Sequence, residues 1–248
     1  MNKLYVVHSS HPSEAVKKAL ELKGIPFKTV EWLIPMQALL TRMRFPARTV
    51  PALKLDGGEK VQGSVAIMRR LDELVPDPPL LPAGDLTRAA VLGAERWGEE
   101  ILQPLARRAV WGALRRRPGA IPTYQQASQL PRLPGPVVRL VAPAVVRIEG
   151  AVTHAGDEAV RADLRDLPGH LDCVDDWIAR GVLGGPQPNA ADLQIGASLR
   201  LLWTIVDVRA LLAGRPCEAL ALRLFADFPG DVPAGAYPSG WLPADARA

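Results

Sequence analysis

The apolar positions follow two different spacings along the chain. Leu4-Tyr5-Val6-Val7 is an unbroken apolar run of strand length and predicts a buried strand. Ala15, Val16, Ala19 and Leu20 recur at helical spacing with Lys17, Lys18 and Glu21 between them, and predict an amphipathic helix. Ser9-Ser10-His11-Pro12-Ser13 is the turn that opens it, with Pro12 at the first helical position and Gly24 as its stop. Phe27–Trp32 predicts a second strand, so a β-α-β unit fits within 32 residues. Residues 34–45 mix helical spacings and predict an irregular connection. Residues 49–55 predict a third strand entered through Pro51. Asp56-Gly57-Gly58 signals a hairpin, and 59–62 a short returning strand. Ser64 then caps a helix carrying Ile67, Met68, Leu71 and Leu74 on one face.

Pro76-Asp77-Pro78-Pro79 makes a stiff linker, after which strand signals stop. Residues 85–117 predict one long helix kinked at Pro104. Five prolines make 118–136 a loop. Residues 137–148, 157–180, 189–213 and 216–225 predict further helices, and 229–248 an irregular tail. The expected organisation is a βαβ–ββα domain over 1–82, an all-helical domain over 83–230 and a tail over 231–248.

Composition narrows the function classes. With 48% hydrophobic and 23% charged residues the chain is of ordinary globular character. Two cysteines, Cys173 and Cys217, exclude a disulfide scaffold and a multi-Cys zinc site. His154 and His170 lack partners at metal spacing, so no metal is expected. The longest apolar stretch is broken by Arg139 and Arg147, so no membrane span is expected. No signal peptide is read at the N-terminus, which makes cytoplasmic residence the expectation. The net charge of +4 is too small to predict a nucleic-acid partner. That charge is uneven: residues 1–82 hold twelve basic and eight acidic residues, while 83–248 balance. All seven lysines lie at or before Lys60, a split that coding bias explains equally well.

The strand and helix order, with a proline opening the third strand, is the thioredoxin-like arrangement. Four segments make the likeness specific: Ser9 to Ser13, Thr49-Val50-Pro51-Ala52-Leu53, Gly63-Ser64-Val65-Ala66-Ile67, and Leu71-Asp72-Glu73 leading to Pro82. With them the chain resembles the cytosolic glutathione S-transferases of serine type, well over 3–82 and more weakly beyond. The resemblance implies an α/β thioredoxin-like domain followed by an all-α bundle. It also implies glutathione as co-substrate, attack of its thiolate on a small hydrophobic electrophile, and a homodimer.

Position by position, the resemblance puts the thiolate-stabilising hydroxyl at Ser10, with Ser9 as the other candidate. A free thiol has a pKa of roughly 8.5, so a hydroxyl donor and a helix N-terminus would favour the anion. Ser9, Ser10 and Ser13 serving only as helix caps is the competing reading. Glutathione contacts fall on Val50, Pro51, Gly63 and Ser64: the cis-proline turn would free the Val50 N–H and C=O for a peptide-like ligand. Ser64 would offer a helix N-terminus to its γ-glutamyl carboxylate. The family usually carries an acidic residue or Gln where Gly63 stands, and Gln62 would face the other side of its strand. His11, Trp97, Ile101 and Arg108 are the positions for the electrophile pocket. Arg42, Arg44, Arg48 or Lys54 is expected to line the anion site, with a solvated basic loop as the competing reading. Asn189-Ala190-Ala191-Asp192 reads as a capping box that serves folding. Two alternatives stay open: a non-catalytic binding module on the same fold, for which Gly63 speaks, and a glutathione-dependent isomerase or dehalogenase.

Overall fold

The computed structural model describes residues 1–34, 36–131 and 134–243. The end of the expected tail, 244–248, lies outside them. The first unit is a four-stranded sheet of β1 (Asn2–Val6), β2 (Phe27–Glu31), β3 (Ala52–Lys54) and β4 (Lys60–Gln62) in the order β2-β1-β3-β4. β1 runs parallel to β2 and antiparallel to β3, with Leu4 opposite Leu53 and Thr29. α1 (His11–Leu22) makes the crossover and α3 (Ser64–Leu74) closes the unit. The third strand is shorter than the expected 49–55, because only Ala52–Lys54 finds antiparallel partners. The irregular connection contains one short helix, α2 (Gln37–Arg42).

The second unit is helical throughout: α4 (Asp85–Trp97), α5 (Gln103–Arg116), α6 (Gly135–Val152), α7 (Asp157–Ala179), α8 (Ala190–Trp203), α9 (Val206–Leu212) and α10 (Pro216–Leu224). Between α4 and α5 the chain makes a π turn, Gly98–Leu102. Pro104 supplies no N–H to this turn's carbonyls, and the disturbance expected as a kink takes this form. A Cβ at Gly98 would meet Ile195 Cγ1 of α8 at 2.8 Å, so the turn passes where only glycine fits. Pro118–Gln125, expected as loop, is a run of 3₁₀ helix.

α8 is the axis of the molecule. Its residues Ala190–Leu202 are buried without a break, and it packs against α1, α4, α5 and α10. The expected capping box opens it. Asn189 Oδ1 accepts the Asp192 N–H at 3.0 Å, and Asp192 Oδ2 accepts the Asn189 N–H at 2.9 Å. One continuous apolar core runs from Leu4, Val16 and Ile67 to Leu164, Leu193 and Leu220, so both units share it.

The linker is fastened by a buried lysine. Lys23, 5% exposed, ends α1 and donates to Asp72 of α3 and to the carbonyls of Val75 (2.7 Å) and Pro78 (2.6 Å). Asp72 in turn accepts the N–H groups of Leu80 (2.8 Å) and Leu81 (3.1 Å), and Leu80 C=O accepts that of Ala190 at 2.8 Å. The described part of the tail is anchored as well. Asp207 accepts the N–H groups of Gly235, Ala236 and Tyr237, and Tyr237 Oη donates to Ala109 C=O at 2.8 Å.

Candidate active site

A cavity of about 560 Å³ opens between the C-terminal ends of β1, β2 and β4, the chain entering β3, the N-termini of α1 and α3, and the facing helices α5 and α6. Ser9, Ser10, His11, Val50, Pro51, Gly63 and Ser64 all line it. Three segments that are separate in sequence, 9–11, 50–51 and 63–64, therefore meet at one place.

Ser10 is the N-cap of α1, with extended backbone (φ −73°, ψ 109°), yet its side chain makes no capping bond. Its C=O takes the helical role instead, accepting from Ser13 N (2.8 Å) and Glu14 N (2.9 Å). The Ser10 hydroxyl is thus uncommitted among the described residues. Ser9 differs. At φ 63° it turns its hydroxyl onto the Tyr124 C=O, so that group is already spent. The Tyr124 hydroxyl faces Thr204 Oγ1 at 2.5 Å, and burial pushes its ionisation well above the ordinary phenol range.

The Val50–Pro51 peptide is cis, and no backbone bond engages the Val50 N–H or C=O among the described residues. Gly63, not Ser64, is the N-cap of α3, and its φ of 90° lies where side chains are strained. Ser64 is the first helical residue, 4% exposed, next to the unpaired N–H groups of a helix start. Gln62 points away, as its strand position predicts. Its Oε1 accepts Ala47 N at 2.9 Å, and its Nε2 donates to Ala47 O (3.0 Å) and Thr49 O (2.7 Å).

The second-substrate side departs from expectation. Trp97, Ile101 and Arg108 do not line the cavity. Trp97 packs edge-on against Trp177 and His170, Ile101 is 40% exposed, and Arg108 makes a bidentate pair with Asp163 at 2.6 and 2.7 Å. Glu99 of the π turn and Gln103, Arg107, Val110, Trp111 and Leu114 of α5 present the lining face instead. Arg42, Arg44 and Arg48 are exposed, as is Lys54, and none of the four lines the cavity. The cation there among the described residues is Arg107, from the 83–248 stretch that carries no net charge. A pointer in the sequence is the i, i+4 spacing of Gln103 and Arg107, which flank Pro104. His11 is 3% exposed. Burial, and then the Arg107 charge, hold its imidazole well below the ordinary value, so it is neutral at neutral pH. Glu149 of α6 also lines the cavity, and burial raises its carboxyl pKa against the pull of Arg107.

A latch closes one side. Glu31 Oε2 accepts the Ser128 hydroxyl (2.6 Å) and the Gln129 N–H (2.9 Å), while His8 lies 3.2 Å from Glu31 Oε1 and 2.7 Å from Gln126 C=O. Burial would raise the Glu31 pKa, but the Ser128, Gln129 and His8 contacts outweigh it and the net shift is downward. A depressed folded pKa contributes stability fully above the unfolded value of about 4.3, and that stability is lost as pH falls through the folded value. Glu31→Ala is therefore expected to cost about 1–2 kcal/mol at pH 7, with the deficit against wild type shrinking below about pH 4. Urea titrations across pH check this, and a deficit that stays constant into acid would contradict it.

Residues 4–79 match the family model of the glutathione S-transferase N-terminal domain. A crystallised glutathione S-transferase from Rhodospirillum rubrum superposes with a TM-score of 0.60 at 19% identity, covering 97% of this chain and 98% of that one. The chain has the glutathione S-transferase fold. Among curated proteins, maleylacetoacetate isomerase of Pseudomonas aeruginosa is 33% identical over 122 residues, 46% of this chain and 56% of that protein. Glutathione S-transferase Z1 of Arabidopsis thaliana is 40% identical over 97 residues, 36% of this chain and 41% of that protein. The matches thus span about half the length of these relatives. In the transferase fold seen here, no helix among the described residues is long and apolar enough to cross a membrane.

Proposed function

We propose that the protein is a serine-type member of the glutathione S-transferase family that activates the glutathione thiol at Ser10. The observation that carries this is the uncommitted Ser10 hydroxyl at the start of α1, in one cavity with Val50 and Ser64. The N-terminal family match and the fold support the same reading.

Glutathione would lie along the sheet side of the cavity. Its peptide groups would pair with the free Val50 N–H and C=O as an added strand does. Its γ-glutamyl carboxylate would sit at the start of α3, on the Ser64 N–H and hydroxyl. Gly63 offers no side chain to the γ-glutamyl ammonium, and its positive φ accounts for glycine at that position. Ser10 Oγ–H would donate to the sulfur and, with the positive end of α1, lower the thiol pKa so that the anion predominates. The sulfur lone pair then forms the S–C bond to an electrophilic carbon. A leaving group departs with the displaced pair, or a conjugated carbonyl takes the charge as an enolate.

The relative named maleylacetoacetate isomerase favours a second outcome of the same first step. Addition of the thiolate to an activated double bond leaves a single bond free to rotate, and elimination returns the thiolate with no net oxidation. One experiment separates the readings. Purified protein is given glutathione and a panel of electrophiles, cis-enones among them, while free thiol and double-bond geometry are followed. Conjugation consumes glutathione; isomerisation requires it but leaves it unconsumed. A melting temperature unmoved by millimolar glutathione, with no turnover of either kind, would leave the non-catalytic binding module. A homodimer belongs to this proposal, and sedimentation equilibrium tests it.

A further inference from the structure

The wall of the cavity opposite the sheet carries a charge that sits in no contact ion pair among the described residues. Arg115 and Arg116 of α5 both pair with Asp157, and Arg108 pairs with Asp163. Arg107 does not. Among the described residues its guanidinium has one hydrogen-bond partner, Gln103 Oε1 at 2.9 Å, and forms no ion pair. Beside it His11 is buried, and its Nε2 has no hydrogen-bond partner. Apart from Glu99, Glu149 and Thr153 the rest of this wall is apolar, with Val110, Trp111 and Leu114 from α5 and Val138, Val141 and Val145 from α6. A guanidinium on such a wall has lost much of its hydration; the Gln103 amide oxygen and the nearby Glu149 charge replace part of it, and burial still outweighs them in weakening its hold on its proton.

The geometry points to Arg107 as the residue that recognises a carboxylate, or a like planar anionic group, on the second substrate. The apolar body of that substrate lies between α5 and α6. Guanidinium and carboxylate match as two parallel donors and two acceptors, and in an apolar surrounding such a pair discriminates strongly against the neutral analogue. Glu149, on α6, is the opposing charge. It repels the incoming anion, so removing its charge should strengthen the carboxylate's binding. The inference rests on the thiolate reading only in calling the ligand a second substrate.

Calorimetry with S-carboxypentylglutathione and its side-chain methyl ester tests the pair. Wild type should bind the acid at least about tenfold more tightly than the ester. R107L should erase that preference and R107K keep part of it, both leaving the affinity for glutathione itself unchanged. E149Q should tighten the acid and not the ester. Equal binding of acid and ester, or a preference that R107L leaves intact, would overturn the assignment. So would R107L weakening plain glutathione as much as the acid, because the guanidinium would then hold glutathione. A second arm needs no thiol: phenylbutyrate against phenylbutanol by thermal shift. If no glutathione derivative binds but phenylbutyrate raises the melting temperature in wild type and not in R107L, the thiolate reading falls and the anion site stands. If the phenylbutyrate shift is absent, or persists in R107L, the anion site falls.

Discussion

Ser10→Ala is expected to lower kcat/KM for glutathione-dependent turnover about a hundredfold, the cost of removing one preorganised donor from a developing or resident anion. The protein should keep its fold, because the Ser10 hydroxyl makes no capping bond and the backbone contacts to Ser13 and Glu14 survive the change. The pH profile gives the sharper readout. Hydrogen bonding to the anion depresses the bound thiol's pKa, so wild-type activity should plateau below the free-thiol value of roughly 8.5. Without the hydroxyl the bound thiol titrates closer to that value, and the mutant's deficit should narrow as pH rises through it. Ser9→Ala should behave differently, since Ser9 donates to Tyr124 C=O. It should loosen the 3₁₀ segment and leave the thiol titration where it was. A Ser10→Ala enzyme with an unshifted profile and an unchanged rate would remove Ser10 from the mechanism.

The second large effect falls on stability. Lys23→Met should cost about 3–5 kcal/mol, the range for breaking a buried charge pair by removing one partner. Three acceptors lose their donor at once: the Asp72 carboxylate and the carbonyls of Val75 and Pro78. The methionine refills most of the volume, so the deficit reports the polar contacts more than a cavity. Lys18→Met is the control. Its contact with Glu21 is long, 3.7 Å, and solvated, and it should change stability by less than about 0.5 kcal/mol. Urea midpoints compare the two. A Lys23→Met loss as small as that of Lys18→Met would show that the linker is held by other means.

These two residues mark how far the sequence could be read. Ser10 was legible because a turn, a proline and a helix face stand in a fixed order around it, and order survives in one dimension. The crossover and the α8 cap were legible for the same reason, being made by neighbours in the chain. Lys23 was not, because a lysine at the end of an amphipathic helix reads as solvated, and its three partners lie 49 to 55 residues away. The Glu31 latch escaped notice likewise, joining residues nearly 100 apart. Basic residues near the expected site suggested a local anion funnel. Arg42, Arg44 and Arg48 instead point outward, and the cavity takes its cation from the other end of the molecule. Closeness in sequence was a poor guide to closeness across the domain boundary.

The π turn at Gly98–Leu102 bears on that last point. At 3.6 residues per turn, one extra residue rotates everything after it by about 100° relative to everything before. α4 and α5 are thus one rod cut and rejoined out of phase, each half keyed to its own neighbours. Trp97, before the cut, faces Trp177 and His170, so helical positions counted forward from it do not reach the face that meets the cavity. The choice between adjacent arginines, one spent on Asp163 and the other turned inward, is therefore a matter of phase. The phase of α5 after the turn sets which arginine charge the cavity receives.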